Sequence, residues 1–250
     1  RRVWGPATLR RARKVIVTTK SYAATSLVAW RHDSEVVQQA VDTRMFAPSG
    51  RGEELRKKLG ADGKVVVLFV GRMVPHKGVQ HLLRAVPQLD KETVVWLVGR
   101  GPELERMKKL AADLGIADRV AFFDDVDDAT LPSYYDACDI FTLPSTSRLE
   151  AFGIAALQGM STGKPVVVCD IPGVRDVVSN GVHGLVAEPG NPESLAGCLN
   201  LLARDPEARR RMGSKGRERV EAEYSWSQVV EKIESIYEQV LKGGIARTVA

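Results

Sequence analysis

Two cations and one carboxylate carry most of the chemistry this sequence offers. Arg72 and Lys77 lie five residues apart in "GRMVPHKG" (71–78), after the apolar run "VVVLFV" and before a segment of helical period. Cations so spaced across a strand-to-helix turn can grip a diphosphate from two sides, with Gly71 and Gly78 letting backbone and ligand approach closely. The plainer reading is two solvated basic residues on a loop. Glu150 sits in "STSRLEAFGI" (145–154), where another apolar strand gives way to a helix. The unpaired N–H groups of that helix start form an anion site, and Gly153 removes a side chain that would keep a phosphate away. Glu150 would not bind the phosphate. Its carboxylate suits sugar hydroxyls, or positive charge developing at a sugar carbon; the plainer alternative is a helix cap. Gln158, eight residues on and on nearly the same helix face, can hydrogen-bond a ribose hydroxyl. A third turn, "VGRGPE" (98–103), reads through Gly99 and Gly101 as a tight turn that lets a ligand pass or as a purely structural one; it lacks the full dinucleotide fingerprint.

These residues need a frame that brings them together, and the hydrophobic pattern supplies one. Short β-branched runs at 14–19, 65–71, 94–99, 119–123, 139–144, 165–170 and 183–188 alternate with helical patterns near 77–89, 102–114, 130–137, 151–162 and 191–203. Such alternation predicts βαβ units. Strands apolar on both faces belong to a parallel sheet covered by helices on both sides, so the fold class is α/β, a doubly wound, Rossmann-like parallel sheet over 36–224. Ligands then sit at the C-terminal ends of the strands. The segment 225–242 places Val229, Val230, Ile233, Ile236, Tyr237, Val240 and Leu241 at three- and four-residue spacing, an amphipathic helix whose stripe must be covered. Residues 1–35 open on a basic helix and the strand "KVIVTT", with no earlier strand for it to pair with, and read as the excised end of a preceding domain.

With these motifs on the page, the chain resembles the retaining glycosyltransferases of family 4, which have the GT-B fold of two Rossmann-like domains. The matching stretches are "GRMVPHKG", "VGRGPE", "STSRLEAFGIAALQGMSTGKPVV" and "NGVHGLVAEPGNPESLA", in order over about 36–224. The resemblance implies a C-terminal, donor-binding domain for a nucleotide-diphosphate sugar, with retaining, metal-independent transfer. On the matching positions it implies that Arg72 and Lys77 bind the diphosphate beside Gly71, and that Glu150 contacts the transferred sugar. The backbone at Ala151, Phe152, Gly153 and Ile154 would meet sugar and phosphate, and residue 158 the ribose. Two positions depart from the family pattern. Gln158 replaces the second acid of the Glu-x7-Glu motif, which removes a charge-assisted bond worth about 1–2 kcal/mol. Asp124 stands where glycine is common. The stretch "VDDAT" (126–130) resembles that of GDP-mannose-dependent members. A carboxylate such as Asp128 can accept from the paired N1–H and N2–H₂ of guanine, whereas uracil offers one N–H between two carbonyls. That favours GDP over UDP and mannose as the hexose; the plainer reading makes Asp127 and Asp128 helix caps.

Composition bounds the rest. Of the 250 residues 44% are hydrophobic and 27% charged, a soluble globular balance. No apolar run approaches the roughly 18–20 residues that cross a bilayer, which points to a cytoplasmic protein. Cys138, Cys169 and Cys198 are widely spaced in apolar segments and read as reduced core thiols, with no metal-ligand spacing. The net charge of +5 suits phosphates or an anionic membrane surface. Nucleic acid is disfavoured, because the basic residues over 203–219 alternate with acids and carry no interleaved aromatics. His183 reads as a turn residue rather than a catalyst. The expected partners are the donor nucleotide sugar, an acceptor domain that is not in this sequence, and a second chain through the C-terminal helix. Without that acceptor domain the chain is expected to bind donor but not turn over. Rival classes are a non-catalytic nucleotide-sugar binding or regulatory module, and another GT-B enzyme such as an epimerase or phosphorylase.

Overall fold

The computed structural model describes residues 9, 11–26 and 34–248, with only the backbone of 243–248. Its centre is a six-stranded, wholly parallel sheet built from β3 (Val65–Val70), β4 (Thr93–Val98), β5 (Val120–Phe123), β6 (Ile140–Leu143), β7 (Val166–Cys169) and β8 (Gly184–Ala187). The spatial order is β5-β4-β3-β6-β7-β8, so the chain winds one way from β3 and then reverses between β3 and β6. That reversal opens a crevice beyond the strand ends, the usual ligand position in such sheets. Every residue of β4, β6 and β7 is buried, as a sheet covered on both faces requires. Each fully buried Val or Leu in these strands contributes about 1.5–3 kcal/mol through apolar area removed from water.

Helices cover the two faces. On one, α3 (Val79–Ala85) packs with α4 (Leu104–Asp113) and with α8 (Pro192–Arg204). On the other, α2 (Arg51–Lys58) packs on α5 (Leu131–Ala137), and α6 (Ile154–Ser161) on α9 (Pro206–Glu223). The starts of α8 and α9 follow directly from sequence: Asn191 and Asp205 each accept a hydrogen bond from the backbone N–H three residues on, and Pro192 and Pro206 occupy the first helical position, where no N–H is needed. Between β7 and β8 lies the short α7 (Val174–Val177). Cys138 and Cys169 are buried and Cys198 half-buried, all three free; burial pushes the Cys138 and Cys169 thiols up to about 12.

A second, smaller unit flanks the sheet. The strand expected at 14–19 is β1 (Val15–Val17), and it does have a partner: it pairs in parallel with β2 (Ser34–Val36), which follows rather than precedes it. Three residues reading Ser-Glu-Val carry no alternation, so β2 left no periodic trace. The basic helix expected ahead of β1 falls largely outside the described residues. The C-terminal helix α10 (Trp226–Thr248) returns to this region, burying Val229 and Ile236 against Val37, with Ala40 and Ile233 alongside, in a cluster separate from the main core. Its stripe is covered along one edge only: Trp226, Val230, Tyr237 and Leu241 stay exposed.

Candidate functional site

The loops after β3 and β6 meet at the topological switch. After β3 the chain runs through Gly71, Arg72 and Met73 into a 3-10 turn, Pro75–Lys77, that ends at Gly78 with φ 72°. A side chain on Gly78 would stand 1.9 Å from the carbonyl oxygen of Pro144, at the end of the β6 loop. The two loops are also tied by a hydrogen bond from Thr146 N to His76 O, 2.9 Å long. Gly78 thus serves the approach of two backbones. Gly99 and Gly101 do similar work, since a Cβ on either would fall 2.0–2.3 Å from the carbonyls of Gly71 and Met73. The third turn packs against the first, which is the structural reading of "VGRGPE".

Across this junction the Lys77 ammonium forms an ion pair with Oε2 of Glu150. The same oxygen accepts a 3.2 Å hydrogen bond from Ser145 Oγ. Ser145 is fully buried and Glu150 only 9% exposed, so the carboxylate is fixed in a low-dielectric setting. Arg72 is exposed and has no ion pair among the described residues. Of the plainer readings, a solvated loop cation describes Arg72 but not Lys77, and a helix cap does not describe Glu150. The helix begins at Ile154, not 151, with Gly153 at its cap position, and Glu150 belongs to the turn before it. The same-face argument linking Glu150 to Gln158 fails with it.

Gly153 has φ 91°, and a Cβ there would point towards Leu143 and Val174, 3.2–3.4 Å away. Glycine is needed for backbone conformation and interior packing, not to clear room for a phosphate. The N–H groups of Gly153, Ile154 and Ala155 have no acceptor among the described residues and remain available to an anion. Ala151 is half-buried. Phe152 offers only its backbone, its ring being buried edge-on to Tyr224 at 6.0 Å. Gln158 is half-buried, and its Oε1 accepts from the hydroxyl of Tyr135 at 2.8 Å. Burial holds Tyr135 protonated by raising its pKa well above the usual value, so that donor is permanent. The amide nitrogen of Gln158 is the end left for a ligand.

In the loop after β5, Asp127 accepts from Thr130 N at 2.7 Å and so closes the turn before α5, whose cap residue, Thr130, makes no side-chain capping bond; hydrogen bonding by the Thr130 side chain first, and by the backbone N–H groups of Thr130 and Ala129 after it, lowers the Asp127 pKa. Asp128 is exposed and has no hydrogen bond or ion pair among the described residues. Asp125 pairs with Arg100, and Asp124 with Lys108 at 3.8 Å. His183 is buried in the turn before β8, its Nδ1 accepting from Ser179 N at 3.2 Å; burial, then the nearby Arg219, lowers its pKa. It is a structural residue. Sequence reasoning missed Ser145, Tyr135 and Arg148; the last donates to Thr25 O and lies 5.3 Å over the Tyr22 ring, strapping the Glu150 loop to α1 (Lys20–Ala24).

A doubly wound parallel sheet with a cationic turn, a buried carboxylate and an open helix start gathered at its switch point is an α/β domain of the Rossmann-like kind, in which ligands take that position. The chain belongs to the family described as glycosyl transferases group 1, whose profile matches residues 51–219. It is 31% identical over 201 residues to a GDP-mannose-dependent alpha-(1-6)-phosphatidylinositol monomannoside mannosyltransferase of Mycolicibacterium smegmatis, covering 77% of this chain and 53% of the relative. It is 35% identical to a D-inositol 3-phosphate glycosyltransferase of Geodermatophilus obscurus, covering 81% of this chain and 46% of the relative. The chain thus spans about half the length of the curated relatives it matches. Among solved structures, the sucrose-phosphate synthase of Thermosynechococcus elongatus superposes with a TM-score of 0.86 at 28% identity, over 95% of this chain and 61% of that one. Anabaena HepE, solved with UDP and glucose, gives 0.85 at 25%, over 93% and 65%. These neighbours support a Rossmann-like half of a GT-B fold.

Proposed function

We propose that this chain is the donor-binding part of a hexosyltransferase that takes a nucleotide-diphosphate sugar. The observation that carries the reading is the Lys77–Glu150 contact, which brings the diphosphate cation and the sugar-facing carboxylate together at the switch point. Arg72, Lys77 and the N–H groups of 153–155 bind the diphosphate and stabilise the charge that develops as it leaves, so no metal ion is required for that step. Glu150 receives the sugar and Gln158 the ribose. Transfer retains the anomeric configuration. Residues 36–224 form the donor-binding unit, 1–35 the end of an acceptor domain and a linker, and 225–250 a C-terminal amphipathic helix and tail. Alone the chain binds donor and turns over slowly or not at all, a reading supported by its spanning only about half the length of its curated relatives.

GDP is favoured over UDP, and mannose over other hexoses. The unpartnered carboxylate of Asp128 supports this, as does the GDP-mannose dependence in the name of the Mycolicibacterium relative. UDP is the competing reading, since the Anabaena neighbour was solved with it. A calorimetric panel of GDP, UDP and ADP decides. GDP binding that falls about ten-fold in Asp128→Ala, the loss of a charge-assisted pair, supports the assignment. Equal affinity for UDP removes it, and absence of all nucleotide binding removes the donor-site reading.

A further inference from the structure

The site just described contains a conflict. Lys77 cannot fully serve a diphosphate while its ammonium is held by Glu150, and Glu150 cannot fully serve a sugar while Oε2 is held by Lys77. Arg72, by contrast, is exposed and unpaired among the described residues. We propose that the donor diphosphate takes Lys77 away from Glu150, and that Ser145 is the positioning residue that keeps the carboxylate in place after this exchange. The proposal rests on the donor-site reading.

The chemistry favours the exchange. An ammonium on a four-carbon stem reorients easily and has three N–H donors. A diphosphate arriving on Arg72 and on the free N–H groups of Ile154 and Ala155 brings at least two negative charges to Lys77, against one on Glu150. Once Lys77 turns, Glu150 is left nearly buried with no cation, which is costly unless hydrogen-bond donors replace it. Ser145 Oγ is one such donor, already placed at 3.2 Å and fully buried. Among the described residues Oε1 has no partner, so this oxygen and the vacated side of Oε2 can accept from sugar hydroxyls. A bare nucleoside diphosphate breaks the pair and leaves Glu150 underbonded. A nucleotide sugar breaks it and repairs the loss with its own hydroxyls. The pair therefore discriminates the intact donor from the spent one, which helps release product.

Calorimetry on the full chain, with GDP against GDP-mannose and UDP against UDP-glucose, tests this. In Glu150→Gln, where Lys77 has no anionic competitor, the bare diphosphate should bind about five-fold tighter than to the native chain, and the advantage of the sugar-bearing form should vanish. In Ser145→Ala, diphosphate affinity should stay within about two-fold of native while nucleotide-sugar affinity falls about ten-fold. If Glu150→Gln binds the diphosphate no tighter, Lys77 is not contested and the exchange is overturned, although the site stands. If Ser145→Ala weakens both ligands alike, Ser145 is structural only and its positioning role is overturned. Native chain that binds none of the four ligands overturns the donor-site reading itself, and the exchange with it. Circular dichroism checks each fold; should Glu150→Gln not fold, the split in Ser145→Ala decides.

Discussion

Two regions of this molecule are rich in opposite charges, and they differ in what surrounds the charges. On α9, Arg210 pairs with Glu207, Lys215 with Glu218, Arg217 with Glu221 and Arg219 with Glu223, all at helical spacing. Most of these side chains are in water, 56% and 57% exposed for Lys215 and Glu218. At the switch point Lys77 and Glu150, 73 residues apart in sequence, meet with side chains only 18% and 11% exposed. The first arrangement follows from one helix and is screened; the second needs two loops to be brought together by the sheet, and is not. Density of charge along the chain thus points to the wrong place. What marks the proposed donor site is an unlike pair, nearly dry, with one carboxylate oxygen unpartnered among the described residues.

The sharpest way to break the site without touching either charge is through the backbone that joins the loops. Gly78→Ala places a methyl 1.9 Å from Pro144 O at φ 72°. It should destabilise the chain by about 3 kcal/mol or more, or prevent folding, as judged by urea denaturation. An unchanged midpoint would mean that the loops are not locked together. A smaller effect is expected from Tyr135→Phe, which leaves Gln158 Oε1 without its buried donor. About 1 kcal/mol of stability should go, with nucleotide affinity reduced if Gln158 loses its orientation. Smaller again, and read through pH, is His183. Its folded-state pKa lies below the ordinary histidine value because of burial first and Arg219 second. The unfolded chain therefore binds the proton more readily, so the stability that neutral His183 confers is complete above about pH 7.5, begins to be lost near the ordinary value of about 6.5 and goes on being lost until the pH has fallen through the lower folded-state value. His183→Gln should flatten the melting temperature against pH between about 7.5 and 5.5. A native chain already flat there would show His183 to be solvated.

Much of the frame was legible before the structure. Seven strands announced themselves as β-branched runs; six lie within their expected spans and β4 starts one residue early, at Thr93, and for the six of the central sheet the reason is that a doubly covered parallel sheet writes its burial as continuous apolar sequence. The three-residue β2, five-residue α1 and four-residue α7 were missed, being too short for any period to show, and so was the eight-residue α2, whose sequence Arg51–Lys58 holds a single apolar side chain, Leu55. The site was half legible. Arg72, Lys77 and Glu150 were found by residue type at strand ends, yet the pairing of Lys77 with Glu150 was not, since nothing local connects residues so far apart. Glu150 read as helical because "RLEAF" carries no breaker, and the cap fell at Gly153 instead. Ser145 and Tyr135 left no signal: a serine after Pro144 and a tyrosine in a short helix look ordinary until the fold places their hydroxyls beside Glu150 and Gln158.

The other side of the comparison predicts the smallest effect. Lys215→Ala removes a 2.7 Å pair with Glu218 three residues along α9, and alanine is itself the better helix former. An exposed pair of this kind contributes about 0.3–0.5 kcal/mol, and the gain in helix propensity offsets part of it. The net change in unfolding free energy should therefore be within about 0.3 kcal/mol of zero, and should shrink further in about 0.5 M salt, where charges more than a few ångströms apart are screened. Donor affinity should not move at all, because α9 packs on α6 through its buried face, where Gly216 lies beside Met160, and Lys215 is exposed. A loss above about 1 kcal/mol, or a change in nucleotide binding, would show that the α9 charges act as a network coupled to the sheet. The distinction between a solvated ladder and a dry pair would then no longer separate scaffold from site.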